Sequence, residues 1–214
     1  MAPSDEPGPE GTDPFDLDRS PRPFPITADG ATPGPIGIDL KAGDRIIDKV
    51  IKDWDLAKLK TTEYEVHGKN AQEVGEALLK KGGEWGRGGG SITNDDPGVG
   101  TSTPVTVTIH GNLLKKMPKW SEYAQASARS KANWDAMIAK LDIHESKHVQ
   151  NAVDAAEACA KELIGKEILQ MPGIVTKHNA AMLTAQQTLD SKTQNGTKSG
   201  VPYGDVILNT DEDE

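Results

Sequence analysis

The spacing of apolar positions changes several times along the chain, and each change marks an element. In residues 44–59, Ile46, Ile47, Val50, Ile51, Trp54 and Leu56 make a short pattern that fits a strand or a helical turn opening the fold. TTEYEVHG, at 61–68, alternates as a strand does. A helix follows, with Asn70 as N-cap, Val74, Ala77 and Leu78 on one face and Gly82 as the stop. EWGRGGGSI is dense in glycine and lacks the Gly-Lys-Ser/Thr ending of a phosphate loop, so it reads as a flexible turn between strands. TPVTVTIHG sets Val105, Val107 and Ile109 against Thr106, Thr108 and His110, a half-buried strand that Met117, Pro118 and Trp120 close with a turn.

Beyond Ser121 the period lengthens. No proline or glycine occurs from Ser121 to Ile164, and Trp134, Met137, Ile138, Leu141, His148, Ala152, Ala155, Cys159 and Leu163 recur at steps of three and four. The pattern is that of one long helix or two abutting ones. Gly165 and Met171-Pro172-Gly173 break it, and a second amphipathic helix covers about 174–189 before the polar turn-formers DSKTQNGTKSG. These elements predict an α+β fold in which a small, mostly antiparallel sheet packs on the long helix and a second helix.

Composition narrows this picture. Residues 1–37 hold nine of the 14 prolines and both phenylalanines among Asp, Glu and Gly, a composition that cannot bury enough apolar surface to offset chain entropy. They are expected to form a disordered leader, with one domain over 38–204 and an acidic tail over 205–214. The net charge of -9, with no basic stripe between aromatics, argues against a nucleic-acid partner. No apolar run approaches the ~20 residues of a membrane span, and the acidic start lacks the features of a secretory signal. A protein that is cytoplasmic as made, exported if at all by a signal-less route, is therefore expected. Cys159 is the single cysteine, so no internal disulfide can form, and few aromatics are available to anchor an interface, which favours a monomer.

The candidate chemistry lies in LDIHESKHVQ, residues 141–150. His144 and His148 stand at i and i+4, about 40° apart around a helix, so that both can face one ion. Glu145 points about 100° from His144, toward where a bound water could lie. In an arbitrary helical protein this short pattern is more often coincidence than a metal site, but here it sits on a long helix followed by a second helix with acidic residues. Zinc hydrolases need a third protein ligand as well. Asp154 lies six residues after His148 but would need the helix to stop at Asn151, whereas AVDAAEACAKEL continues as strong helix former. Glu157, Glu162 and Glu167 are too near in sequence to return to the ion, and His178 at the start of the second helix is a weak alternative. Asp190 closes the second helix where an antiparallel return would bring it toward the first, and is the preferred third ligand.

Five segments carry a resemblance: TEYEVHGKNAQEVGEALLKKGG, EWGRGGGS, VTVTIHG with the MPKW turn, ANWDAMIAKLDIHESKH, and LDSKTQNG. Together they resemble a bacterial family of secreted zinc-dependent proteases catalogued as domain of unknown function nine-two-two, over about residues 61–204. The resemblance implies a zincin-like fold, a Zn²⁺ cofactor and a peptide or protein substrate. The family's last segment usually reads Tyr-Asp-x-x-Thr-x-His-Gly. Here Leu189 replaces the Tyr and Asn195 the His, while Asp190 and Thr193 are kept. If the family's His were the third ligand, Asn195 would be a poor substitute for it. If the Asp is the ligand, Asp190 retains it, and Thr193 and Asn195 support the transition state or orient the acid.

The expected activity is thus zinc-dependent peptide hydrolysis, with His144, His148 and Asp190 holding the metal, Glu145 as general base, and the strand at 104–111 lining the cleft. Two other readings compete. One is a catalytically decayed zincin-fold binding or effector module, favoured by the lost His at position 195. The other is a plain helical interaction protein with His144 and His148 on its surface.

Overall fold

The computed structural model describes residues 45–81, 85–95 and 105–210. The expected leader at 1–37 lies outside them, as does Gly82. The fold is α+β, and the described residues form a four-stranded sheet and three α-helices. In chain order these are β1 (Ile47–Asp53), β2 (Thr61–Val66), α1 (Ala71–Lys80), β3 (Arg87–Asn94), β4 (Val105–Trp120), α2 (Ala128–Leu163) and α3 (Met171–Thr193). Local capping sets the helix starts as the residue types require: Asn70 accepts from the Glu73 N–H, and Ser127 from that of Ser130. Between β1 and β2 a short 3-10 turn, Leu56–Lys58, is capped by Asp55, so the opening segment supplies both a strand and a helical turn.

β4 organises the sheet. β3 runs antiparallel along one edge of it, from Asn94 opposite Ile109 to Arg87 opposite Lys116. β1 pairs parallel with the first half of β4 and β2 parallel with its last third. Since β3 already occupies one edge where these registers overlap, β1 and β2 lie end to end along the other. The expectation of a mostly antiparallel sheet is therefore corrected: two of the three pairings are parallel. Alternation reports which face of a strand is buried but not its direction, and β1 and β2 meet a strand from much later in the chain instead of forming hairpins.

Two further expectations are revised. The glycine-dense stretch is not a turn but β3 itself. Met117, Pro118 and Trp120 do not end the preceding strand; they belong to β4, with Pro118 opposite Tyr64 in the β2 register.

α2 is one unbroken helix of 36 residues, and two apolar clusters grip its two ends. Trp134, Met137 and Leu141 pack with Val66, Val74, Leu78 and Trp120, and the chain returns past residue 204 to add Val206 and Leu208. Ala156, Cys159 and Leu163 pack with Ile47, Ile92, Val107, Ile109 and Ile174. Between them a turn or two of α2 faces inward with His144, Glu145 and His148, all buried. α3 runs antiparallel to α2: Glu162 meets His178, and His148 meets first Gln186 and then Asp190.

Candidate metal centre

A buried imidazole in a helix must find partners for both ring nitrogens. His144 directs Nδ1 at the carbonyl oxygen of Tyr203, 2.9 Å away. A carbonyl can only accept, so Nδ1 carries the proton and Nε2 is left as a lone pair. His148 places Nδ1 3.1 Å from Oε1 of Gln186, an arrangement in which the same tautomer donates to the amide oxygen. The two Nε2 atoms are 3.1 Å apart, and Oδ1 of Asp190 lies 2.9 Å from that of His148 and 3.4 Å from that of His144. Three acceptors thus converge with no donor proton among them. Such a trio is repulsive unless a proton or a metal cation lies among its atoms.

The spacing suits one. Ligand atoms about 2.0–2.1 Å from a tetrahedral ion stand about 3.3 Å from each other, close to the three separations found here. His144, His148 and Asp190 can accordingly hold a metal ion. Burial, the largest influence, holds His148 below the ordinary histidine range; the carboxylate of Asp190 pulls the other way and His144 adds to the lowering. A neutral imidazole is the form that ligates.

Glu145 sits beside this trio, 5% exposed, pressed against β3. Glycines in β3 and just before it explain how the strand comes so near. A Cβ on Gly86 would lie 2.7 Å from Glu145 Oε1, and one on Gly88 only 2.1 Å from the Glu145 backbone oxygen. A Cβ on Gly89 would meet the Gln186 amide at 2.8 Å. The sequence GRGGG therefore lets a strand lie directly on the helix pair that carries the donors. Tyr64 marks the same neighbourhood: burial and then the charge of Glu145 push its hydroxyl up to about 12, and it donates to the Trp85 carbonyl. Lys115, 9% exposed in β4 opposite Gly88, reaches Asp142 and Ser146 on α2 and ties the sheet to the same stretch of helix.

Thr193 and Asn195 stand at the end of α3. The Thr193 hydroxyl, fully enclosed, donates to the Leu189 carbonyl and accepts from the Gly196 N–H. Asn195 has φ 54° and its backbone N–H donates to the Asp190 carbonyl. Both shape the turn that follows Asp190, and the Thr193 hydroxyl is taken up by that turn. Gly196, with φ 85°, passes so near the His144 ring that a Cβ would lie 3.3 Å from Nδ1. The other carboxylates and His178 lie elsewhere: Asp154 bonds Gln150, Glu157 pairs with Lys52, and Glu162 holds Lys177 and His178.

The strand at 104–111 was expected to line the cleft, but β4 pairs with β1 over Val105–His110 and with β3 from Ile109 onward, and β3 is the strand that lies against Glu145. At Ile92 the side-chain amide of Asn179 bonds both the N–H and the carbonyl, at 2.9 and 2.8 Å. Ile92 thus turns its backbone groups away from β4, and the same alternation turns those of Gly88 and Gly90 to that outer edge. Sequence reasoning missed Gln186 and the Tyr203 carbonyl. The first stands one helical turn before Asp190, so its placement on the same face was readable; a backbone carbonyl leaves no trace in the sequence.

The fold and site define a small α+β protein with a buried two-histidine, one-carboxylate cluster set against a glycine strand. Residues 61–196 match the family described as "Bacterial protein of unknown function (DUF922)". The match covers well over half of the chain, and the protein belongs to this family. No curated protein and no solved structure matches the chain.

Proposed function

We propose that the protein is a zinc-dependent metallopeptidase. The observation that carries this reading is the convergence of three lone-pair donors, His144 Nε2, His148 Nε2 and Asp190 Oδ1, beside a buried glutamate on the same helix. Two imidazoles and a carboxylate form a donor set that suits zinc and, among protein zinc sites, one that leaves a coordination position open. When bound, the ion would lower the pKa of a water to near neutrality and polarise the scissile carbonyl.

The chain's own residues do the rest. Glu145 takes a proton from the attacking water and passes it to the leaving amine. Tyr203 and Gln186 hold the imidazole tautomers, which keeps both Nε2 lone pairs directed at one point. An extended peptide backbone pairs with the outer edge of β3 at Gly88 and Gly90, in register beside Glu145. Replacing Glu145 with Gln removes the base and keeps the side-chain shape. Hydrolysis of a peptide mixture is expected to vanish while zinc content stays at the wild-type level, and retained hydrolysis would refute the role given to Glu145.

The competing reading, a decayed binding module, draws on the family's His being Asn at position 195. The donor set does not use that position, and this favours the peptidase.

A further inference from the structure

A groove of about 580 Å³ opens between α2, α3 and the loop after α3. Its volume lies in the range of small-ligand sites. The floor is mainly apolar, built from Ala185, Leu189, Val201, Pro202 and the ring of Tyr203. Three lysines stand around it: Lys147 from α2, Lys192 from α3 and Lys198 from the loop. Lys147 lies over the Tyr203 ring, 5.9 Å from its centroid. None of the three forms an ion pair among the described residues, although the chain carries a net charge of -9. Three cations gathered on one groove repel each other, and an anion seated there relieves the repulsion.

The groove shares its walls with the metal centre. Lys147 lies in α2 between His144 and His148, Leu189 and Thr193 flank Asp190, and the Tyr203 carbonyl accepts from His144.

We propose that this groove selects the substrate: it takes an apolar side chain of the bound peptide on its floor and the carboxylates of neighbouring Asp or Glu residues on Lys147, Lys192 and Lys198. The assignment of the ligand as a substrate peptide rests on the peptidase reading; the preference for an acidic, apolar segment rests on the groove alone.

The test is fluorescence polarisation on the full chain in excess chelator, so that nothing is cleaved. The probes are three labelled octapeptides built on one leucine with flanking Asp-Glu, Asn-Gln or Lys-Lys pairs. At low salt the acidic peptide is expected to bind about tenfold tighter than its amide counterpart, the sum of a few screened surface contacts. That gap should close in about 0.5 M salt. The triple variant Lys147→Gln, Lys192→Gln, Lys198→Gln should erase the preference, and Ala185→Trp, which fills the floor, should abolish binding. Because the lysines are surface residues, the triple variant decides the matter even if Ala185→Trp does not fold. Equal binding of the acidic and amide peptides, or binding of none, would overturn the proposal. So would decanoate binding where no peptide does, which would assign the groove to a free amphiphile. A protein that holds no zinc yet prefers the acidic peptide would refute the peptidase reading and leave the groove standing; hydrolysis without acidic preference would do the reverse.

Discussion

Gly88→Ala tests the close approach of β3 to the motif helix. The added methyl carbon would lie 2.1 Å from the Glu145 carbonyl oxygen, with the Glu145 carbonyl carbon at 2.8 Å and its Cα at 3.0 Å. All three are backbone atoms of a 36-residue helix held at both ends by apolar clusters, so no side chain can rotate out of the way. Ordinary contact begins near 3.4 Å, so strand and helix must part by about 1 Å, in an interior packed as densely as a crystal. Overpacking of this kind costs about 2–3 kcal/mol. The alanine also lowers the entropy of the unfolded chain, which returns about 0.4–1 kcal/mol. A net loss of about 2 kcal/mol corresponds to a fall in Tm of about 4–8 °C for a domain of this size. Thermal unfolding followed by circular dichroism reads it directly. Gly173→Ala is the matched control: it lies within α3 with nothing within 4 Å of its Cβ position, and should raise Tm by about 1–3 °C. A Gly88→Ala protein that melts with the wild type would refute the close packing of β3 on Glu145.

Asp190→Ala removes one of three donors and should weaken zinc binding by well over tenfold, as read by competition with a chromogenic chelator, whereas Asn195→Ala should leave it within about threefold. His110 is held above the ordinary histidine range by hydrogen bonds to Asp95 and then Asp53, which join β4 to the ends of β3 and β1. With the folded value raised, that stabilisation is complete below the unfolded histidine value near 6.5 and is lost as pH rises through the folded one. Since the site is largely open to water, the loss should stay below about 1 kcal/mol, and His110→Gln should flatten the dependence of Tm on pH above 6. The Cys159 thiol is buried and pushed up to about 11 by that burial and then by the charge of Glu162. It should resist a thiol-reactive dye in the native protein at pH 8 and react fully in denaturant; native-state labelling within minutes would contradict its placement.

Helix periods were the most legible part of the chain, because α2 repeats its apolar positions over ten turns without a breaker; α3 was legible in its centre, but it runs from Met171 to Thr193, past the expected 174–189 at both ends, with Met171, Pro172 and Gly173 forming its first turn instead of a break. The histidine pair was legible for the same reason: i and i+4 on a helix determine a common face without help from the rest of the fold. Asp190 could be approached because a short connection between two helices implies an antiparallel return, and the two helices do meet in that sense. The sheet was less legible. Its parallel pairings depend on β4, which lies some 50 residues after the strands it receives, and no local pattern reports that partner. β3 was misread because its glycines answer to contacts across the fold, with Glu145 and Gln186, and a strand made of Arg-Gly-Gly-Gly shows no alternation. The lysine groove was invisible because Lys147, Lys192 and Lys198 come from three separate elements.

The most direct test is the zinc content of the purified full-length protein by elemental analysis, with the His144→Ala variant beside it. Near-stoichiometric zinc in the wild type that disappears in the variant is the expected result, since the three converging acceptors are spaced to hold one ion. Wild-type protein that stays free of zinc after reconstitution, or a variant that keeps it, would contradict the metal centre.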